Sequence, residues 1–395
     1  MPVILLTIFI DLLGFGLIIP ILPFLTLKYG GDAFDGTVLM SVYSFAAFAA
    51  GPVWGRLSDR FGRRPALIAA LLGSMLSYIA LALADSLATL FVARALSGLM
   101  AGNIGIVMAI AADLSDEQNR GKTMGRIGAM FGLGFAFGPF VGGLLGGVGD
   151  EVNILLPGLA AAALSFLATS LAYYFVPETN PKPTGDTADE PEAEAPHWSS
   201  VLKAPGRITL FSIFVVTAIT QSTGFSITPF WTQAVLGWSE SDVGFLYAGV
   251  GALIVVIQWL LIGPLFQRIG EARALACGAA VHVAGCLILL LAPGTVLTAL
   301  IAFPMILTGL SLSFPALNSL LSKKTDRRLQ GTALGLSNGL SALGRVIGPI
   351  CAGLLFAAAT PERPFVMVCA GGICVLVWSV LEARKSRPQP AGAAH

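Results

Sequence analysis

Apolar runs, each closed by a short polar or Gly/Pro-containing break, follow one another along the whole chain. They fall near 3–27, 36–57, 64–84, 87–112, 122–147, 153–176, 206–236, 241–266, 272–292, 295–321, 330–358 and 362–382. Each is long enough as an α-helix, at ~1.5 Å per residue, to cross ~30 Å of hydrocarbon with some tilt. Several contain Gly or Pro (Gly14, Gly16, Pro20, Pro139, Pro229, Pro315, Pro349). A helix bundle tolerates this because neighbouring helices re-satisfy the interrupted backbone. The pattern predicts an all-α polytopic membrane protein with twelve transmembrane helices.

One stretch breaks the rhythm. Residues 177–205, PETNPKPTGDTADEPEAEAPHWSSVLKAP, are rich in Pro and acidic residues and nearly free of aliphatic ones, the composition of a flexible linker. It divides the runs into six and six: a bundle over 1–176, the linker, a second bundle over 206–382 and a tail over 383–395. The two bundles are related in sequence. Gly55, Leu57, Arg60, Gly62 and Leu67 recur 208 positions later as Gly263, Leu265, Arg268, Gly270 and Leu275. Gly14-Phe15, Gly121, Gly125 and Gly138-Pro139 recur 210 positions later as Gly224-Phe225, Gly331, Gly335 and Gly348-Pro349. A duplicated six-helix unit is the architecture of an alternating-access transporter, with its site near the midplane between the halves.

Composition and charge sharpen this picture. Hydrophobic residues make up 55% of the 395 and charged residues only 11%, which no soluble core could hide. A net charge of +1 offers no overall attraction for nucleic acid. With the N-terminus on the cytoplasmic side, all but four of the 23 lysines and arginines fall on that side; Lys28 and Arg363 lie opposite, and Arg94 and Arg345 fall inside spans. The positive-inside rule thus predicts a multi-pass protein of the inner (cytoplasmic) membrane with both termini cytoplasmic. The five cysteines lie in apolar runs with no CxxC pair or histidine cluster and read as packing residues, so neither a metal nor another cofactor is expected. The first run is too long for a signal-peptide core and reads as a retained helix.

Three motifs then stand in three spans. GRLSDRFGRRP (55–65) joins spans two and three. ARALSGLMAG (93–102) surrounds Arg94 in span four, and span five carries G-x8-G-x3-G-P-x2-G-G through Gly125, Gly134, Gly138, Pro139, Gly142 and Gly143. With DLLGFGLIIPILP around Asp11, ADLSDEQNR with Asp113 and Arg120, and GWSESDVGF, the whole chain resembles the twelve-helix drug:proton antiporters of the major facilitator superfamily, of the tetracycline-efflux type. The resemblance implies proton-coupled efflux of small amphipathic molecules by a monomer in the bilayer, and in that family the span-five pattern goes with antiport rather than symport. The alternatives are a symporter or facilitator of a small metabolite, or a membrane-embedded scaffold or enzyme, for which the chain holds no catalytic motif.

The resemblance assigns residues as well. Asp59, with Arg60, Arg63 and Arg64, would latch the cytoplasmic ends of the halves while the cavity opens outward, pairing with acids such as Asp113 beside Arg120. Gly55 and Gly62 would permit the close approach. Asp11 and Arg94, each ~10–12 Å deep from opposite faces, are expected to meet near the midplane, with Asp11 the first choice for proton carrier and His282 a second titratable group. Where tetracycline exporters carry acids in spans three and nine this chain has Ser77 and His282, and Ile254 replaces a histidine, while Gln258 is kept. Loss of two acids speaks against a magnesium-chelated substrate. Asn103, Gln221, Phe225, Phe230, Trp231, Gln258 and Asn318 are the expected substrate-binding lining.

Overall fold

The computed structural model of the chain describes residues 2–114, 120–146, 153–179, 201–203, 205–326, 329–358 and 360–385, with backbone alone at some positions around 112–136 and at 331. Arg120, Gly125 and residues 180–200 of the expected linker lie outside the residues whose side chains are described. Regular structure among the described residues is helical throughout. The first half comprises α1 (Pro2–Ile18), α2 (Leu22–Lys28), α3 (Ala33–Phe61), α4 (Arg63–Ala82), α5 (Leu87–Met100), α6 (Asn103–Asp113), α7 (Arg120–Leu145) and α8 (Leu155–Phe175). The second comprises α9 (Arg207–Leu236), α10 (Glu240–Val256), a π turn (Ile257–Leu261), α11 (Ile262–Ile269), α12 (Glu271–Leu291), α13 (Val296–Gly309), α14 (Ser313–Lys324), α15 (Gln330–Ala358) and α16 (Arg363–Lys385). Among the described residues eleven stretches are long and apolar enough to cross a membrane. The remaining expected run is α7, with Pro139 inside it.

Four spans are interrupted rather than straight, span eight by the π turn and three by breaks between helices. Pro20 separates α1 from α2. Spans four and ten break at Ala101–Gly102 and at Leu310–Leu312, equivalent positions of the duplicated unit. At the first, a Cβ on Gly102 would lie 2.1 Å from Trp54 Cγ, so only glycine lets the Trp54 ring of α3 wedge in. Trp54 Nε1 donates to the freed Leu99 carbonyl at 2.7 Å. At the second break Gln221 Nε2 donates to the Leu310 carbonyl at 2.7 Å. Both ruptures thus leave a carbonyl satisfied by a side chain from another span, as burial requires.

Within the first half α1 packs on α7 and α8, α4 on α8, and α3 on α5; within the second α9 packs on α15 and α16, and α12 on α13 and α16. Contacts between halves run along α3 with α15 and α7 with α10. The α3/α15 seam is antiparallel and steps by seven residues. A Cβ on Gly353 would lie 2.9 Å from Phe34 Cα, Ser41 Oγ donates to the Val346 carbonyl at 2.9 Å, and a Cβ on Gly339 would be 3.9 Å from Phe48. The next step would set Gly55 against Thr332, yet a Cβ on Gly55 finds nothing within 4 Å. The seam is therefore closed at its Phe34 end and open at its Gly55 end. An apolar cluster drawn from both halves lies towards the closed side: Ile19 and Phe24 with Val243 and Tyr247, flanked by Phe15, Phe225 and Trp238. Phe230 is buried against Gly36 there.

Candidate functional site

Asp11 lies in the middle of α1, 9% exposed. The α5/α6 break brings Asn103 against it, and Asn103 Nδ2 donates to Asp11 Oδ2 at 2.5 Å. Asn103 Oδ1 accepts from the Ile104 N–H at 2.8 Å, so the start of α6 orients the amide. The second carboxylate oxygen, Oδ1, is buried with no hydrogen-bond partner. Beside it, among Thr7, Leu67, Leu71 and Val107, is a cavity of about 10 Å³, the scale of one water molecule.

Arg94 does not join Asp11, contrary to the pairing expected. Its guanidinium, 2% exposed, lies over the Tyr43 ring with Cζ 4.3 Å from the centroid, and 5.9 Å from the centroid of Phe15. Its Nε and Nη1 are buried without hydrogen-bond partners. Two depths of ~10–12 Å measured from opposite faces do not span ~30 Å of hydrocarbon. Arg94 consequently meets α1 at Phe15, one turn past Asp11, and Asn103 of the same span reaches the carboxylate instead. Gly98 sets the geometry around Arg94, since a Cβ there would lie 2.4 Å from the Tyr43 carbonyl oxygen.

The second half repeats this plan with different chemistry. Gln221 stands 210 positions after Asp11 and likewise reaches the break of the fourth span of its own half. Phe225, equivalent to Phe15, stacks on Tyr247 at 4.7 Å, and Tyr247 donates to the Phe225 carbonyl at 2.7 Å. Trp231 is not a wall of the cleft. It is 0% exposed and wedged edge-on between Phe303 and Phe365 in the core of the second half. Phe230 is used up in the closed side of the seam. Gln258 falls in the π turn, half-buried, and Asn318 donates to the Phe314 carbonyl of its own helix at 2.9 Å. His282, 1% exposed, is enclosed by α12, α13 and α16, with Nδ1 2.7 Å from the Ile306 carbonyl and Nε2 3.2 Å from that of Val368. It ties three helices together and is not brought to Asp11. Ser77 Oγ donates to the Gly73 carbonyl of its own helix at 2.7 Å.

At the α3/α4 junction, Arg63 pairs with Asp59 at 2.5 Å and with Asp113 at 3.4 Å. Arg60 lies over Phe61, and Arg64 lies over the Tyr173 ring and donates to its carbonyl. The ion pairs given to Asp59 and Asp113 are thus made inside the first half, and the Arg63–Asp113 pair persists while the Gly55 end of the seam is open. The second half places Glu271 and Lys323 in an ion pair at the positions equivalent to Arg63 and Asp113, with the charges exchanged. Sequence reasoning missed Glu178. Its carboxylate accepts from the Arg63 N–H at 2.8 Å and the Arg64 N–H at 3.1 Å, capping α4. Thr179 Oγ1 donates to Asp113 at 2.9 Å, and Val201 is buried in the core of the second half. Both edges of the stretch expected as a linker are therefore docked.

Comparison with known proteins decides the family. The model of the Major Facilitator Superfamily matches residues 4–349 and 260–395. The chain belongs to the Major Facilitator Superfamily. It is 31% identical over 364 residues, 90% of this chain and 89% of the relative, to the class C tetracycline resistance protein of Escherichia coli. It is 27% identical over 360 residues, 88% and 86% respectively, to multidrug resistance protein 2 of Bacillus subtilis. Its fold matches that of a bacterial homolog of the human lysosomal transporter Spinster, solved in an inward-facing and unoccupied conformation, with TM-score 0.77 over 98% of both chains at 15% identity. As a member of this superfamily the protein is a multi-pass membrane transporter of small molecules, not an enzyme.

In this superfamily member the span-five glycines are contact surfaces. A Cβ at Gly134 would lie 2.5 Å from Leu12 Cβ, one at Gly138 2.6 Å from Gly16 Cα, and one at Gly142 2.0 Å from the Leu17 carbonyl oxygen. The stripe repeats every fourth residue and lets α7 lie directly on α1, the helix that carries Asp11. Pro139 is buried beside it, and Gly143 turns the other way to meet Gly244 of α10, with 2.9 Å from its Cβ position to Gly244 Cα. Tyr43, Trp54 and Gln221's carbonyl contact had no sequence signal beyond an aromatic or amide inside a span. The Gly102-Asn103 pair in span four was the one local hint of the break.

Proposed function

We propose that the protein is a proton-coupled exporter of amphipathic small molecules. It works as a monomer in the cytoplasmic membrane with both termini inside, and residues 1–176 and 206–382 rock against each other. The observation that carries this reading is the setting of Asp11: a buried carboxylate with one neutral donor, one unpartnered oxygen and, among the described residues, no counter-cation. Its ionised form is costly at that depth, and relieving that cost by taking up a proton is the lever an antiporter needs. Asn103 and the small cavity beside Asp11 provide the contact through which a proton arrives by way of a water. Seating α1 on the α7 glycines fixes the carboxylate against the break in span four. The names of the tetracycline and multidrug resistance relatives support export as the direction.

With the N-terminus inside, the open Gly55 end of the seam faces the cytoplasm, and the conformation described is the one in which an exporter loads. Asp59 and Arg63 then hold each other until α15 approaches, when the loop meets the other half. His282 serves as a crosspiece of the second bundle. The test is transport by purified protein in liposomes with an imposed pH gradient. Asp11→Asn is expected to abolish uphill accumulation of an exported drug while downhill exchange continues. pH-driven uptake by Asp11→Asn at the wild-type level would remove Asp11 from this role.

A further inference from the structure

We propose that the cleft recognises the anionic group of its substrate through Arg345 and Arg94, so that the molecules exported carry a carboxylate or a comparable anion on an apolar body. This rests on the export reading for the direction of transport, but the site itself is argued from the two intramembrane cations. Arg345 lies on α15, and the faces of that helix are assigned by their contacts. Gly344 and Gly348 press on α9, while Gly339, Val346 and Gly353 meet α3. Leu343, Ile347 and Leu354 form an exposed apolar face, which is the face for lipid. Arg345 projects on the remaining face together with Asn338 and Ser341, opposite that apolar face, and is itself exposed. That face opens between α9 and α3: Ser222 of α9 donates to the Gly344 carbonyl and Ser41 of α3 to that of Val346, so in the seam register Arg345 stands at the level of Val42 and Tyr43.

Tyr43 is also the ring on which Arg94 rests. The two arginines thus stand at the level of one aromatic residue, from opposite halves of the protein. Neither has an ion-pair partner among the described residues. Arg94 in addition keeps two buried nitrogens, Nε and Nη1, with no acceptor. A cation at this depth is costly unless compensated, and a guanidinium fork is shaped for a carboxylate or phosphate. Asp11, the nearby acid, is held by Asn103 one turn away and does not serve. The missing counter-charge is therefore supplied by the ligand. Phe15, Tyr43 and Phe225 offer flat apolar surface for its body.

The experiment uses the purified full chain in detergent and two fluorescent probes with one apolar body: dansylglycine, which carries a carboxylate, and dansylcadaverine, which carries an ammonium. Wild type is expected to bind dansylglycine at least about tenfold more tightly than dansylcadaverine. Arg345→Gln is expected to weaken dansylglycine by about tenfold or more, the scale of a lost charge-assisted contact, and to leave dansylcadaverine unchanged or tighter. Arg345→Lys should restore part of the loss, and both variants should elute and melt as wild type does. Preference for dansylcadaverine, equal loss for both probes in Arg345→Gln, or no dansylglycine binding at millimolar concentration would overturn the proposal. Since binding needs no gradient, dansylglycine binding without pH-driven transport would leave the anion site standing and sink the export reading. Transport of cationic drugs alone would do the reverse.

Discussion

Glu178 and Gly62 show how a single contact can hold a helix start. The first turn of α4 exposes N–H groups with no partner inside the helix, and a carboxylate placed there is favoured by hydrogen bonding and by the helix dipole. Gly62 makes room for it: its φ is 103°, and a Cβ would lie 2.5 Å from Glu178 Oε2. Glu178→Gln is expected to cost about 1 kcal/mol, read as a lower unfolding temperature of the purified protein. Gly62→Ala should cost more, because it adds backbone strain to the clash. In a Glu178→Ala background the clash is gone, and Gly62→Ala should then cost less than it does alone; equal costs in both backgrounds would mean that the carboxylate is not seated on α4. Motif spacing marked Gly62 as important in the sequence. It did not reveal the partner, since Glu178 lies 115 positions beyond Arg63 in a stretch whose composition reads as linker.

At the scale of elements, the span-five motif illustrates a pattern whose meaning depends on what faces it. Gly134, Gly138 and Gly142 were legible as a small-residue stripe, but a stripe by itself names no neighbour. The structure supplies α1, with backbone so close that Gly142 has no room for a methyl group. Gly142→Ala is expected to push α1 from α7 at an overpacking cost of about 1–3 kcal/mol and to reduce transport with it, because Asp11 rides on α1. Gly105→Ala is the matched control, as a Cβ there finds nothing within 4 Å and alanine is the better helix former. A neutral Gly142→Ala, measured by thermal unfolding and by transport, would show that the two helices are free to separate.

For the molecule as a whole, the seven-residue steps of the α3/α15 seam specify how the open end closes. Continuing the register that joins Phe34 to Gly353 and Ser41 to Val346 brings Gly55 of the loop motif onto Thr332. This closing contact gives the first glycine of GRLSDRFGRRP a physical reason, as a bulky residue there would hold the two helix ends apart. Cysteines at 55 and 332, in a protein with its five natural cysteines replaced, should be joined by a short thiol cross-linker only during turnover, and the cross-link should arrest transport. A pair at 41 and 346 should cross-link in the resting protein. Failure of the 55/332 pair to react in a protein that still transports would disprove the register.

Hydropathy alone placed the apolar runs, because hydrocarbon imposes length and composition on every crossing segment independently of its neighbours, and the recurring glycine motifs related one set of six to the other. The sequence also singled out Asp11 and Arg94 as charges inside spans, Asn103 as cavity lining and the loop arginines as a motif. Which of them meet was decided only by the tertiary structure. A shift of one helical turn along a span hands Asp11 to Asn103 and Arg94 to Tyr43, and a rotation about α9 sends Trp231 into the core rather than the cleft. Depth in the membrane follows from position in a run to within a turn or two, whereas hydrogen bonds and ion pairs are settled within an ångström. That finer scale belongs to how the helices break, approach and face one another.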